Sequence, residues 1–192
     1  MKKLIVTSVL YTVITAVALG IVYPLVVTGL AHVLFPKQAE GSLIERNGVL
    51  VGSHLIGQPF DGPGYFWSRP SAAGTGYDAS NSGGSNYAPT NAALATRVAG
   101  TVQTLNPKGT SGPVPIDLAT ASASGLDPDI SPAAAMYQVT RVAAERHVSE
   151  DSVRSLVAAH VTPRQFGLLG EPRVNVLELN LDLDKAAPVA AK

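Results

Sequence analysis

The sequence contains no cysteine, and that absence removes disulfides, thiol catalysis and thiolate metal sites together. Charge is sparse and balanced, with 14 Lys and Arg against 14 Asp and Glu and no basic stripe, so no nucleic-acid partner is expected. Ligand spacing is missing as well. His54, His147 and His160 stand at neither three- nor four-residue intervals from one another, and none belongs to a carboxylate-rich metal motif, so no metal site is expected. No nucleophile–base–acid set is legible. Ser82-Gly83-Gly84-Ser85-Asn86 lacks both the lysine and the spacing of a phosphate-binding loop. It reads instead as a place where backbones approach closely.

A further absence decides more. Between Leu4 and Phe35 there is no Lys, Arg, Asp or Glu, whereas Lys2 and Lys3 precede the run. A bilayer core about 30 Å thick needs roughly 20 apolar helical residues, and this run supplies roughly 32. A cleaved secretory signal has a core of about 7–15 residues and a small-residue cleavage site, and His32-Val33-Leu34-Phe35 offers none. Residues 4–35 are therefore expected to be a retained transmembrane helix, with residues 1–3 cytoplasmic and residues 36–185 outside. Pro24 removes a backbone donor near mid-span, which predicts a kink. Gly20, Thr28 and Gly29 beside Pro24 would let another helix pack closely.

Beyond the span, Asn47-Gly48 between apolar runs predicts a hairpin, with strands over Ser42–Glu45 and from Val49 towards Ile56. From Gly57 to Pro89 periodicity is lost, yet Phe60, Tyr65, Phe66, Trp67, Tyr77 and Tyr87 are present. Aromatics at that density argue against disorder, and a long irregular stretch in a compact domain argues for function. Within it Tyr65, Phe66, Trp67 and Arg69 form either a recognition patch or a plug at the base of the loop.

Thr90–Leu105 reads as a helix stopped by Asn106-Pro107-Lys108-Gly109, and Val114–Leu118 as a short strand. Ser131-Pro132 starts a helix running to about His147, with Ala135, Val139 and Val142 inward. Ser149 caps another, with Val153, Leu156, Val157 and His160 on its inner face. Arg173–Asp184 alternates leucine with polar residues and reads as a strand, with a parity break at Val174 and Val176. Residues 186–192 form a solvated tail. The expected class is α+β: one N-terminal transmembrane helix, then an extracytoplasmic domain of about three helices packed on a small sheet.

Several segments together resemble one family. They are Tyr23-Pro24-Leu25, Gly41-Ser42-Leu43-Ile44, Gly52-Ser53 with Leu55-Ile56-Gly57-Gln58, and Tyr65-Phe66 with Arg69-Pro70-Ser71-Ala72. Ser82–Asn86, Thr120–Asp127, Arg141-Val142-Ala143, Val174-Asn175 and Leu177–Asn180 follow in order. The chain resembles the C subunit of Kdp-type high-affinity potassium-transporting ATPases over nearly its whole length. The resemblance implies a bacterial cytoplasmic-membrane complex with a potassium-channel-like subunit, a P-type ATPase subunit and a small single-span subunit. It implies no cofactor held by this chain: ATP is used by the partner and potassium is the transported ion. It also implies a catalytic chaperone that raises the partner's ATP affinity, with Gln138 and Arg141 as nucleotide-linked residues. Topology opposes direct contact, because Gln138 is expected outside and ATP inside, so the expected effect is allosteric.

Two other classes stay open on the residues alone. An anchored hydrolase would need a catalytic set, with Ser122 and His160 the residues to remove. A membrane-anchored binding module unrelated to a pump would be stable and monodisperse by itself.

Overall fold

The computed structural model describes residues 1–106 and 112–188. Pro107–Gly109 of the expected helix stop, and residues 189–192 of the expected tail, lie outside the described residues. Two compact units divide the chain, Met1–Val51 and Gly52–Lys192.

The first unit begins with a helical run, Lys2–Leu34, of 33 residues, long and apolar enough to cross a membrane. It consists of α1 (Lys2–Val17), a π-helical turn (Ala18–Val22) and α2 (Tyr23–Leu34), with none of its residues buried. The π turn has a local cause. Pro24 lacks an N–H and its ring crowds the carbonyl one turn back, so the helix widens just ahead of it instead of breaking. After the short α3 (Pro36–Ala39) come β1 (Leu43–Arg46) and β2 (Val49–Ser53), paired as a hairpin. Asn47 and Gly48 turn it with φ of 55° and 76°, the left-handed pair that a two-residue hairpin demands.

In the second unit a 3-10 turn (Ala79–Asn81) lies within the irregular stretch, followed by α4 (Ala92–Leu105) and α5 (Ile116–Ala119). Then come β3 (Asp129–Ile130), α6 (Pro132–Arg146), α7 (Glu150–Ala159), β4 (Val161–Thr162), β5 (Arg173–Asn175) and α8 (Val176–Ala186). β5 is the central strand of an antiparallel trio, with Asp129 opposite Asn175 on one side and Val161 opposite Val174 on the other. Helices α6, α7 and α8 supply the core: Val139 and Val142, Val153 and Val157, Leu179 and Leu183 are all buried. Ser131 and Ser149 cap α6 and α7 by accepting from Ala134 N and Ser152 N, as their sequence positions predict.

Three expectations are corrected, and the α+β class stands. The second hairpin strand ends at Ser53 and does not run on to Ile56: His54 and Leu55 form a turn, and Ile56 bridges back to Ser53. Val114–Leu118 is no strand: Ile116–Ala119 is one helical turn, because Pro115 sits just before its first residue and removes no helical bond. Arg173–Asp184 is a strand only as far as Asn175, and from Val176 it is a helix. The leucine alternation concealed a helical repeat. Val176, Leu179, Asn180 and Leu183 are buried at intervals of three and four, whereas Leu181 is half-buried. Asn175 makes the switch, its side chain accepting from Glu178 N as N-cap and donating to His54 O at 3.0 Å. The parity break at Val176 marks that junction.

Leu179→Ala is expected to cost about 2–5 kcal/mol of unfolding free energy, and Leu181→Ala less than about 1.5 kcal/mol. Urea denaturation of the two variants checks this, and equal losses would point back to a strand.

Candidate functional site

The irregular segment Gly62–Arg69 has no neighbouring strand, so its peptide groups need partners elsewhere. Side chains from α6 and α8 provide them. Asn180 donates from Nδ2 to Phe66 O at 2.9 Å and accepts from Phe66 N at 2.8 Å. Gln138 does the same to the next residue, donating to Trp67 O at 3.1 Å and accepting from Trp67 N at 2.8 Å. Each carboxamide thus replaces one rung of a β-ladder. Both are 2% exposed, where a hydrogen bond left unmade costs most.

Two arginines of α6 complete the grip. Arg141 donates to Pro63 O, to Tyr65 O at 2.9 Å and to Gln138 Oε1 at 2.6 Å. Its guanidinium also lies 3.8 Å from the centre of the Trp67 ring, within cation–π range. Burial lowers its pKa to about 10, so it stays cationic at neutral pH and the stack persists. Arg146 donates to Gly64 O and Ala187 O, covers the Tyr65 ring at 4.7 Å and forms an ion pair with Asp184 at 2.9 Å. At the far end Arg69 pairs with Asp127 at 2.9 Å, and Tyr77 donates its hydroxyl to Arg69 O. Burial raises the Tyr77 pKa, which keeps that phenol a donor.

The residues singled out in the sequence therefore fall into two groups. Tyr65, Phe66, Trp67, Gln138 and Arg141 come together in one network, and Arg69 anchors the end of the same segment separately, through Asp127 and Tyr77. Within the network Phe66 belongs to the core at 0% exposure, while Trp67 is half-buried. Of the second group, Ser82, Gly83 and Gly84 lie against the Ser122–Gly125 segment, whereas Ser85 turns to Arg97 and Asn86 holds a left-handed φ of 51°. Gly83 N and Ser82 Oγ both donate to Ser124 O. A Cβ on Gly84 would sit 2.9 Å from Ala123 O, and one on Gly125 2.6 Å from Ala73 N, so glycine is required by close backbone approach. Ser85 accepts from Arg97. In the membrane-type helix, Gly20 lies in the π turn ahead of Pro24, and Gly20 and Gly29 face open space.

Sequence reading missed Asn180 and Arg146 as members of the network, and Asp127 and Tyr77 as partners of Arg69. The alternation puts Asn180 on the polar face of a strand, and only helical spacing with Val176 and Leu183 turns it inward. Nothing in the local sequence pattern of Arg146 distinguishes it from a solvated helix residue. The open hydrolase reading gains little from geometry: Ser122 Oγ accepts from Gly125 N, and His160 pairs with Asp182 at 3.2 Å. Among the described residues no group of three His, Asp or Glu side chains could hold a metal ion.

The family model described as KdpC, "K+-transporting ATPase, c chain", matches residues 5–185. The chain belongs to this family. A potassium-transporting ATPase KdpC subunit of Koribacter versatilis is 60% identical over 189 residues, covering 98% of either chain. One from Acidobacterium capsulatum is 62% identical over 179 residues, 93% of this chain and 96% of its own. One from Burkholderia cenocepacia is 59% identical over 181 residues, 93% of each. All three relatives span nearly the same length, so the span and the carboxamide network both lie inside the matched region.

Gln138→Ala should orphan both backbone groups of Trp67 and destabilise by about 2–6 kcal/mol, roughly 1–3 for each buried unpaired group. Trp67 is the single tryptophan, so its fluorescence reports the site directly. A red-shifted emission is expected for Gln138→Ala. Unchanged emission and stability would show that the clamp carries no load.

Proposed function

We propose that this chain is a non-catalytic subunit of an ATP-driven potassium-uptake complex in the bacterial cytoplasmic membrane. In this reading it assembles with a channel-like subunit that carries potassium and a P-type subunit that hydrolyses ATP, and a small single-span subunit joins them. It raises the ATP affinity of the hydrolysing subunit as a catalytic chaperone, and it does so allosterically. Residues 1–3 are cytoplasmic and residues 36–185 lie outside.

One observation carries the mechanistic part. The Gln138 carboxamide is buried and engaged on Trp67 N, Trp67 O, Ala134 O and Arg141. No polar atom of that side chain is left for a nucleotide base unless the 63–67 segment is first displaced. Gln138 and Arg141 then affect nucleotide use by fixing the shape of the loop that partners meet. A partner shifts an equilibrium only by binding one state better than another. A coupling of about 1–3 kcal/mol suffices for a 5- to 150-fold change in apparent affinity.

Two experiments test the reading. Protease added to intact spheroplasts should remove a C-terminal tag, and protection until lysis would reverse the topology. In the purified complex, Gln138→Ala should raise the apparent Michaelis constant for ATP equally across nucleotide base analogues. Near-micromolar ATP binding by the purified chain alone, abolished by the same substitution, would instead establish direct contact. A chain that is monodisperse by itself and recovers no other subunit would favour the free-standing binding module.

A further inference from the structure

The loop joining β4 to β5 carries apolar side chains that the rest of the unit does not cover. Phe166 is 84% exposed, Leu168 79% and Leu169 60%. Exposed leucines are ordinary when scattered, but these cluster at the tip of one hairpin, and the tip is fixed in shape. Gln165 and Leu169 exchange backbone hydrogen bonds at 2.9 Å, and Arg164 and Glu171 close the base with an ion pair. Phe166 itself is held at φ 54°, a conformation that bulky residues rarely take and that collects at functional positions.

We infer that the 164–171 hairpin is a preformed knob that docks in an apolar cleft on another subunit of the same complex, on the same side of the membrane. This rests on the subunit reading above. Charge selects a protein cleft over a lipid surface. The only charges in the segment, Arg164 and Glu171, neutralise each other, and the next cation, Arg173, is paired with Asp129 at 3.0 Å. Anionic headgroups attract unpaired basic residues, and this tip offers none. An apolar centre with a neutral polar rim is the anatomy of a protein contact.

Size excludes a second copy of the chain. Three side chains cover roughly a few hundred Å², well below the roughly 1,000 Å² of a self-standing interface. A small knob is enough when the chain is already held elsewhere, because tethering turns the second contact into an intramolecular one. Its fixed shape also lowers the ordering cost of docking.

The test uses the full complex in native membranes, with a photoreactive phenylalanine analogue in place of Phe166. Irradiation should crosslink this chain to another subunit of the complex. Adducts to lipid alone, to a second copy of this chain, or no adduct while the complex is intact, would each overturn the inference. In a second arm, Phe166→Asp with Leu168→Asp should weaken recovery of the other subunits at least about tenfold, the loss expected when a hot spot is removed. Undiminished recovery of the complex with the doubly substituted chain would count against the knob. If even the unsubstituted chain recovers no other subunit, the subunit reading fails and the knob with it.

Discussion

An irregular segment can be buried only if every peptide group in it finds a partner, and here two carboxamides meet that demand. Asn180 of α8 and Gln138 of α6 hold successive peptide units, Phe66 and Trp67, in the way that neighbouring strands would. This arrangement lets Phe66 drop into the core between the helices while Tyr65 and Trp67 stay at the edge under Arg146 and Arg141. The clamp also ties the ends of the chain's second unit together, because α6 and α8 must be correctly packed before both carboxamides are in reach. Loop geometry and core packing are consequently one cooperative feature.

The consequence for function is rigidity where flexibility would be the default. Loops of this length usually move, and ordering one during assembly would oppose binding. Here the ordering is complete within the chain: Arg141, Arg146, Arg69 and Tyr77 all donate to backbone carbonyls between Pro63 and Arg69 or pair with a nearby acid. A subunit that presents a fixed surface can favour one conformation of a moving partner without chemistry of its own. Under the function proposed above, that is how a family member with no legible catalytic set would alter what an ATPase does.

Much of this was legible in the residues. The uncharged run after Lys2-Lys3, the Asn47-Gly48 hairpin and the caps at Ser131 and Ser149 each have a short-range physical cause, and each is found where the sequence puts it. The density of aromatics in Gly57–Pro89 fits a stretch that is partly buried, with Phe66 and Ala73 in the core. What failed depended on long-range facts. Leu177–Asp184 satisfies both a period of two and a helical repeat, and only packing against α6 and α7 decides between them. The partners of Gln138 and Asn180 lie 71 and 114 residues away in the chain, a separation that no local pattern encodes.

Residue-resolved hydrogen exchange at the Phe66 and Trp67 amides tests the central claim most directly. Both lie outside any helix or strand, so they should exchange rapidly unless the carboxamides protect them. The account predicts protection comparable to that of the α6 and α8 amides. It also predicts selectivity: Asn180→Ala should release Phe66 first and Gln138→Ala should release Trp67 first. Fast exchange of both amides in the unsubstituted chain would contradict the clamp and with it the rigid-surface account of this subunit.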